Sequence, residues 1–299
     1  MNFSPKARIL SFIPACTLRA KGPDALSFLQ SQFTNDLGKM TTGASVYGLW
    51  LDRKGRVIAD SWVIRTGAAD EFLVVSLDSA AAVVAAHLEA HIVADEVEVT
   101  DETAAWKGIA FLGPALGNLP GVEIPEGFTF PGRRGVEGSV EWIFPASVGA
   151  KALAAASGLV EETPARLELL RIRARVPKVP VDIGPGDLPN EGGLDLEAIS
   201  YSKGCYTGQE VMARVKALGR VRRTLRRVTG QGDPPAVPAS LWQGGTRVGE
   251  VRSVAADGTG FEGLALVSVG AASGEGACTL GSGSGPRVSV EDKPAAGLD

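Results

Sequence analysis

Residues 203–210 read Lys203-Gly204-Cys205-Tyr206-Thr207-Gly208-Gln209-Glu210, and the chemistry of the chain is concentrated there. The two glycines let the backbone bend or come close to a ligand. From about Thr207 onward, Val211, Met212 and Val215 recur with Glu210 and Arg214 in a helical pattern. Cys205 is therefore expected at or just before a helix N-terminus, with Lys203 two residues away. Partial positive charge and an ammonium both favour thiolate over thiol, which predicts a lowered pKa and a reactive sulfur. A buried, inert cysteine is the bland alternative. Tyr206 either stacks on a flat ring or fills a core.

Upstream, Leu188-Pro189-Asn190-Glu191-Gly192-Gly193-Leu194-Asp195 forms a Gly-rich loop. A lone loop carboxylate such as Glu191 is ordinarily solvated. The alternative is that it grips a planar ligand edge carrying two parallel N–H donors, as carboxylates grip guanidinium. Pro177, Pro180, Pro185 and Pro189 make the preceding stretch extended and irregular, and such stretches more often line a site than merely connect elements. Before it, a helix is expected from Thr163 through Arg173, with Thr163 as cap and Pro164 at the first helical position.

Further out, Leu26, Leu29, Phe33 and Leu37 suggest a helix capped by Asp24. Residues 45–51 and 57–65 read as a hairpin around Asp52-Arg53-Lys54-Gly55. Strands are expected at 72–77, 96–100, 106–112 and 139–144, and helices at 79–92 and 148–156. Strands and helices mix without a regular βαβ rhythm, so the class is α+β. After Arg227 the texture turns Gly-rich, and 249–255, 263–269 and 277–280 read as short strands of a small β-barrel or sandwich. Two regions are expected, 1–228 and 229–299, with 291–299 a frayed tail.

The composition excludes several classes. Lys and Arg total 30 against 34 Asp and Glu, a net charge of −4, which argues against a globally basic nucleic-acid binder. The 2 histidines and 3 scattered cysteines include no C-x-x-C, so neither a zinc site nor a disulfide framework is expected, and no metal is assigned. No stretch reads as a secretory signal or a membrane span, and a reducing, cytoplasmic location is expected.

The octapeptide is similar to the K-G-C-Y-x-G-Q-E signature of the YgfZ family, folate-binding relatives of the glycine-cleavage T-protein. Fainter echoes run through the chain. Gly22-Pro23-Asp24-Ala25 with Phe28-Leu29-Gln30 and Thr34-Asn35-Asp36 resembles the opening of the T-protein superfamily. Arg166-Leu167-Glu168-Leu169-Leu170-Arg171-Ile172 resembles its arginine-rich helix, and Gly249-Glu250-Val251-Arg252-Ser253 its C-terminal barrel. The resemblance implies a T-protein-like ring of subdomains around a folate channel, followed by a β-barrel. It implies tetrahydrofolate or another reduced folate as ligand, and a role in assembly or repair of iron–sulfur proteins, with an indirect effect on tRNA modification. Folate and iron–sulfur client or assembly proteins would be the partners. By the same resemblance Glu191 would hold the pterin, with Tyr206, Gly204, Gly208, Gln209 and Arg214 around the folate. Cys205 would be the signature thiol, supported by Lys203.

T-proteins carry paired aspartates after a Gly-Gly turn, the first of them catalytic, whereas this chain has Ala59 and then Asp60. Without a carboxylate to manage protons at the folate nitrogens, a folate-binding factor is expected in preference to an aminomethyltransferase. One-carbon transfer stays as an alternative. Another is a tRNA-binding module built on Arg214, Lys216, Arg220, Arg222, Arg223, Arg226 and Arg227, for which a solvated strand face is the bland reading. The run has no interleaved aromatic residues, which weakens tRNA as a partner.

Overall fold

The computed structural model describes residues 8–113, 126–271 and 274–294. In chain order its strands are β1 (Arg8–Phe12), β2 (Cys16–Lys21), β3 (Ser45–Leu51), β4 (Val57–Arg65), β5 (Glu71–Ser76), β6 (Glu98–Asp101), β7 (Trp106–Leu112), β8 (Phe128–Pro131), β9 (Val140–Pro145) and β10 (Val160–Glu161), followed by β11 (Arg223–Gln231), β12 (Ala239–Gln243), β13 (Thr246–Ala256), β14 (Gly260–Ser268), β15 (Gly274–Leu280) and β16 (Arg287–Pro294). The helices are α1 (Ala25–Gln32), α2 (Ala81–Glu89), α3 (Gly149–Ala155), α4 (Pro164–Arg173), α5 (Asp195–Ala198) and α6 (Gln209–Leu218). The class is α+β, as the mixed rhythm predicted.

Two five-stranded sheets lie at the centre, one ordered β3-β4-β5-β2-β6 and the other β10-β1-β7-β9-β8. Their facing sides are built by strand alternation. On β4, Trp62 and Ile64 join Leu73, Val75, Trp106, Phe130 and Ile143 between the sheets. Ala59 and Val63 of the same strand instead pack under α1 and α2 with Phe28, Leu29, Trp50 and Val84. The outer face of the second sheet buries Ile109, Phe111, Trp142 and Phe144 against Ala152 of α3. The result is a helix–sheet–sheet–helix stack. A closed barrel, β11-β14-β13-β12-β15-β16, follows it, and α4 joins the two through Ile172 packed on Leu225, Ala255 and Leu264.

Thr163 caps α4 as expected, its Oγ1 accepting from the Arg166 N–H at 3.3 Å. Asp24 does not cap α1 with its side chain; its Oδ2 accepts from the Glu96 N–H at 2.8 Å instead. That helix stops at Gln32, so Leu37 is buried outside it. The strand that opens the barrel begins at Arg223 and crosses residue 228. Residues 291–294, read from sequence as tail, complete β16 because β11 offers them a pairing edge. The rest of that expected tail lies outside the described residues.

Candidate functional site

A separate core gathers the segments that carry the motifs. Leu49, Leu51 and Val57 of the β3–β4 hairpin meet Val179, Ile183, Leu194, Ile199, Tyr206, Met212 and the barrel residue Leu266. This cluster fixes the 177–206 stretch against both the first sheet and the barrel.

Within the octapeptide, most polar groups face the protein. The Lys203 ammonium donates to the carbonyls of Gln30 at 2.7 Å, Phe33 at 2.6 Å and Asn35 at 3.0 Å. These carbonyls lie at the C-terminal end of α1, where the helix has acceptors to spare and no basic residue of its own. The Thr207 N–H adds a bond to Ser31 O, and its Oγ1 donates to Gln32 Oε1 at 2.9 Å. Gly208 has φ +86°, and a Cβ there would stand 2.8 Å from Asp52 O in the hairpin turn, so only glycine fits. Gly204 is different: a Cβ there would meet open space and its φ is ordinary, so close backbone approach is no reason for it.

Cys205 is exposed, while Cys16 and Cys278 are buried. Burial pushes the Cys16 thiol up to about 12. The two sources of positive charge read from the sequence are arranged otherwise. Helix α6 starts at Gln209, with Gly208 as its cap, so Cys205 lies outside the first turn. All three Lys203 protons are committed to carbonyls of the last turn of α1 and the residues just after it, and Lys203 acts as a clamp rather than a thiolate support. Burial pushes its ammonium down to about 8.

Glu191 is not a solvated loop carboxylate. It is 4% exposed and held in a two-pronged pair with Arg223, Nε to Oε1 at 2.9 Å and Nη2 to Oε2 at 2.8 Å. Its Oε2 also accepts the Leu188 N–H at 2.9 Å. The partner with two parallel N–H donors is thus supplied by the chain itself. Asp187 binds Arg223 at 2.9 Å and also pairs with Arg252, tying the Pro-rich loop to the barrel. Gln209 opens α6, and Arg214 pairs with Glu210 one helical turn away, both highly exposed. Neither joins Glu191.

The basic run divides in two: Arg214, Lys216, Arg220 and Arg222 are exposed, whereas Arg223, Arg226 and Arg227 are drawn into the protein. Arg223 and Arg227 are in ion pairs, and Arg226 is buried with its Nε on Thr224 Oγ1 at 3.1 Å. Lys216 stands 3.7 Å over the Tyr201 ring. Among the described residues, the Arg220 and Arg222 side chains of this run carry no hydrogen-bond, ion-pair or ring partner, and Lys216 has only the Tyr201 ring.

Sequence reasoning passed over two polar groupings. The first surrounds Asp60, which is buried and accepts from Tyr47 OH at 2.9 Å, Ser76 Oγ at 2.9 Å and Ser79 Oγ at 2.7 Å. Burial raises its pKa, against the pull of Arg133. Arg133 donates to Tyr47 OH at 2.8 Å and pairs with Glu197 at 2.5 Å. Ala59 belongs to the helix-side core, so the polar network sits on the face of β4 that carries Asp60. Strand alternation from Ala59 already marked Asp60, but nothing local marked Arg133.

The second grouping lies beside the octapeptide. Asn190 Oδ1, Asp195 Oδ1, Tyr201 OH and Tyr206 OH are all buried atoms without a hydrogen-bond partner. The Asn190 amide lies beside both Asp195 and Tyr201, and burial raises the pKa of Asp195 and of both tyrosines. Buried orphans of this kind ordinarily find a ligand or water.

Comparison with known proteins bears on these segments. The family profile described as GCVT N-terminal domain matches residues 14–119. A protein of Serratia proteamaculans (strain 568), tRNA-modifying protein YgfZ, is 29% identical over 264 residues, covering 80% of this chain and 78% of the relative. The mouse protein named mitochondrial iron-sulfur cluster assembly factor IBA57 is 28% identical over 272 residues, covering 84% and 74%. The chain is similar to YgfZ-family proteins over most of its length. The chain also superposes on the glycine cleavage system aminomethyltransferase T from Bartonella henselae with a TM-score of 0.77 and 22% identity, covering 97% of this chain and 86% of that one, which establishes a T-protein-like fold. Among the described residues, no helix is long and apolar enough to cross a membrane.

Proposed function

We propose that this chain is a tetrahydrofolate-binding accessory factor that supports assembly or repair of iron–sulfur proteins and, through them, tRNA modification. The observation that carries the folate half is the set of four orphaned buried polar atoms on Asn190, Asp195, Tyr201 and Tyr206. Asp195 offers a buried oxygen with no partner beyond the neighbouring Asn190 amide, whereas Glu191 is already held by Arg223. In this reading Asn190 and Asp195 accept the pterin N–H groups and the two tyrosines close the polar edge. Glu191 acts one step back, fixing the loop that carries Asn190. Bound folate would supply a one-carbon carrier, and Cys205, displayed on a clamped loop, is the group a client protein could reach. The names of the relatives support the iron–sulfur half.

The one-carbon transferase alternative finds less support. Asp60 already accepts three hydroxyl protons in a closed network, leaving it ill placed to serve a substrate. The tRNA-binding alternative is weakened because Arg223, Arg226 and Arg227 of its basic run are engaged within the protein.

Titration calorimetry with a series of reduced folates tests the reading. Saturable binding, weakened at least tenfold by Asp195→Ala with the fold retained, is the expected result. No heat and no competition with any reduced folate would reject it. For the client half, complementation of a strain lacking its own relative should restore activity of iron–sulfur enzymes and fail with Cys205→Ser.

A further inference from the structure

A cavity of about 620 Å³ lies between the β3–β4 hairpin turn, the 186–191 loop, α6 and the barrel. Its wall carries Lys54, Arg56, Arg222 and Arg223 against one lining carboxylate, Glu191. The acids nearby are otherwise engaged. Glu191 and Asp187 hold Arg223, and Asp52 Oδ1 accepts the N–H groups of Lys54 at 2.8 Å and Arg56 at 2.9 Å, which shapes the turn. The side chains of Lys54, Arg56 and Arg222 have no ion-pair partner among the described residues. Three unpaired cations in one concavity, on a chain of net charge −4, repel one another. The concave protein wall behind them also focuses their field toward its centre.

We propose that this cavity binds a small, multiply charged oxyanion, with Lys54, Arg56 and Arg222 as its counter-charges and Arg223 as a fixed floor. The volume falls in the range of small-molecule sites and exceeds the need of a single phosphate. Clustered anionic oxygens come from two sources, a run of γ-linked glutamates such as extends a folate, or a free polyphosphate. The inference does not rest on pterin binding, because neither probe below contains a pterin.

The test is calorimetry on the full chain at low ionic strength, with γ-linked triglutamate in one arm and inorganic tripolyphosphate in the other. Saturable one-site binding of at least one probe is expected, and the tighter probe identifies the source. Arg222→Glu should weaken it about tenfold or more, roughly 1.4 kcal/mol, and the Lys54→Ala/Arg56→Ala/Arg222→Ala triple variant should abolish it. These side chains are exposed and unpaired, so the variants should keep the melting temperature of the parent. Lys151→Glu, on α3, is the control for general attraction. The proposal is overturned if neither probe saturates, if the triple variant binds as the parent does, or if Lys151→Glu weakens binding as much as Arg222→Glu.

Discussion

The 203–208 loop and the 187–191 loop both set charged residues beside glycines, yet they are held in opposite ways. Lys203 is tied to neutral carbonyls at and just beyond the end of α1, within one sheet-and-helix unit. Glu191 and Asp187 are tied to arginines of the barrel, across a boundary. The first attachment is a helix cap borrowed from a distant residue, and salt should barely affect it. The second is an ionic latch between the Pro-rich loop and the barrel, and salt and charge should modulate it. The two loops thus divide into one that organises a single layer and one that joins two.

Lys203→Met breaks the comparison most severely. It removes three charge-assisted bonds and leaves buried carbonyls unpaired, so a loss of about 3 kcal/mol in chemical unfolding is expected. A loss below about 1 kcal/mol would mean that water replaces the ammonium readily. Arg223→Ala leaves Glu191 and Asp187 facing each other without their shared partner. About 2 kcal/mol is expected, below the range for a fully buried pair because the Arg223 side chain is 37% exposed. Unlike the Lys203 variant, its effect relative to the parent should shrink at high salt. Gly208→Ala should cost about 2 kcal/mol, through positive φ and the contact with Asp52 O, whereas Gly204→Ala should be near neutral.

How much of this was legible in the sequence depends on the range of the interaction. The β3 and β4 hairpin and the Thr163 cap followed from alternation and local turn chemistry, and the structure has them where the residues put them. Strands β1 and β2 escaped notice because short half-polar runs have no local signature, and they form only because other strands pair with them. Cys205 stood out by its neighbours in the chain, but the roles of Lys203 and Glu191 depend on partners 173 and 32 residues away. Nothing near either residue announced them. Asp195 was in plain view and unremarked, since only burial distinguishes it from an ordinary exposed acid.

Acid titration separates both loops from the shell around them. His87, under Trp50 with its Nε2 unpartnered, is pushed down to about 4 by burial. The unfolded chain takes up that proton first, so stability is intact above pH 6.5 and falls as pH drops toward 4. The loss reaches on the order of 3 kcal/mol from this group. His87→Gln should flatten that part of the profile, measured by urea unfolding against pH. An unchanged slope would assign the acid sensitivity to carboxylates instead. The smallest effect on folding is expected from Cys205→Ser, within about 0.5 kcal/mol.

The accessibility of the three sulfurs has a consequence at the bench. With Cys205 exposed and Cys16 and Cys278 enclosed, air oxidation gives each molecule a single point of attachment. A preparation handled without reductant should therefore stop at covalent pairs on a non-reducing gel, with no ladder of higher species above them.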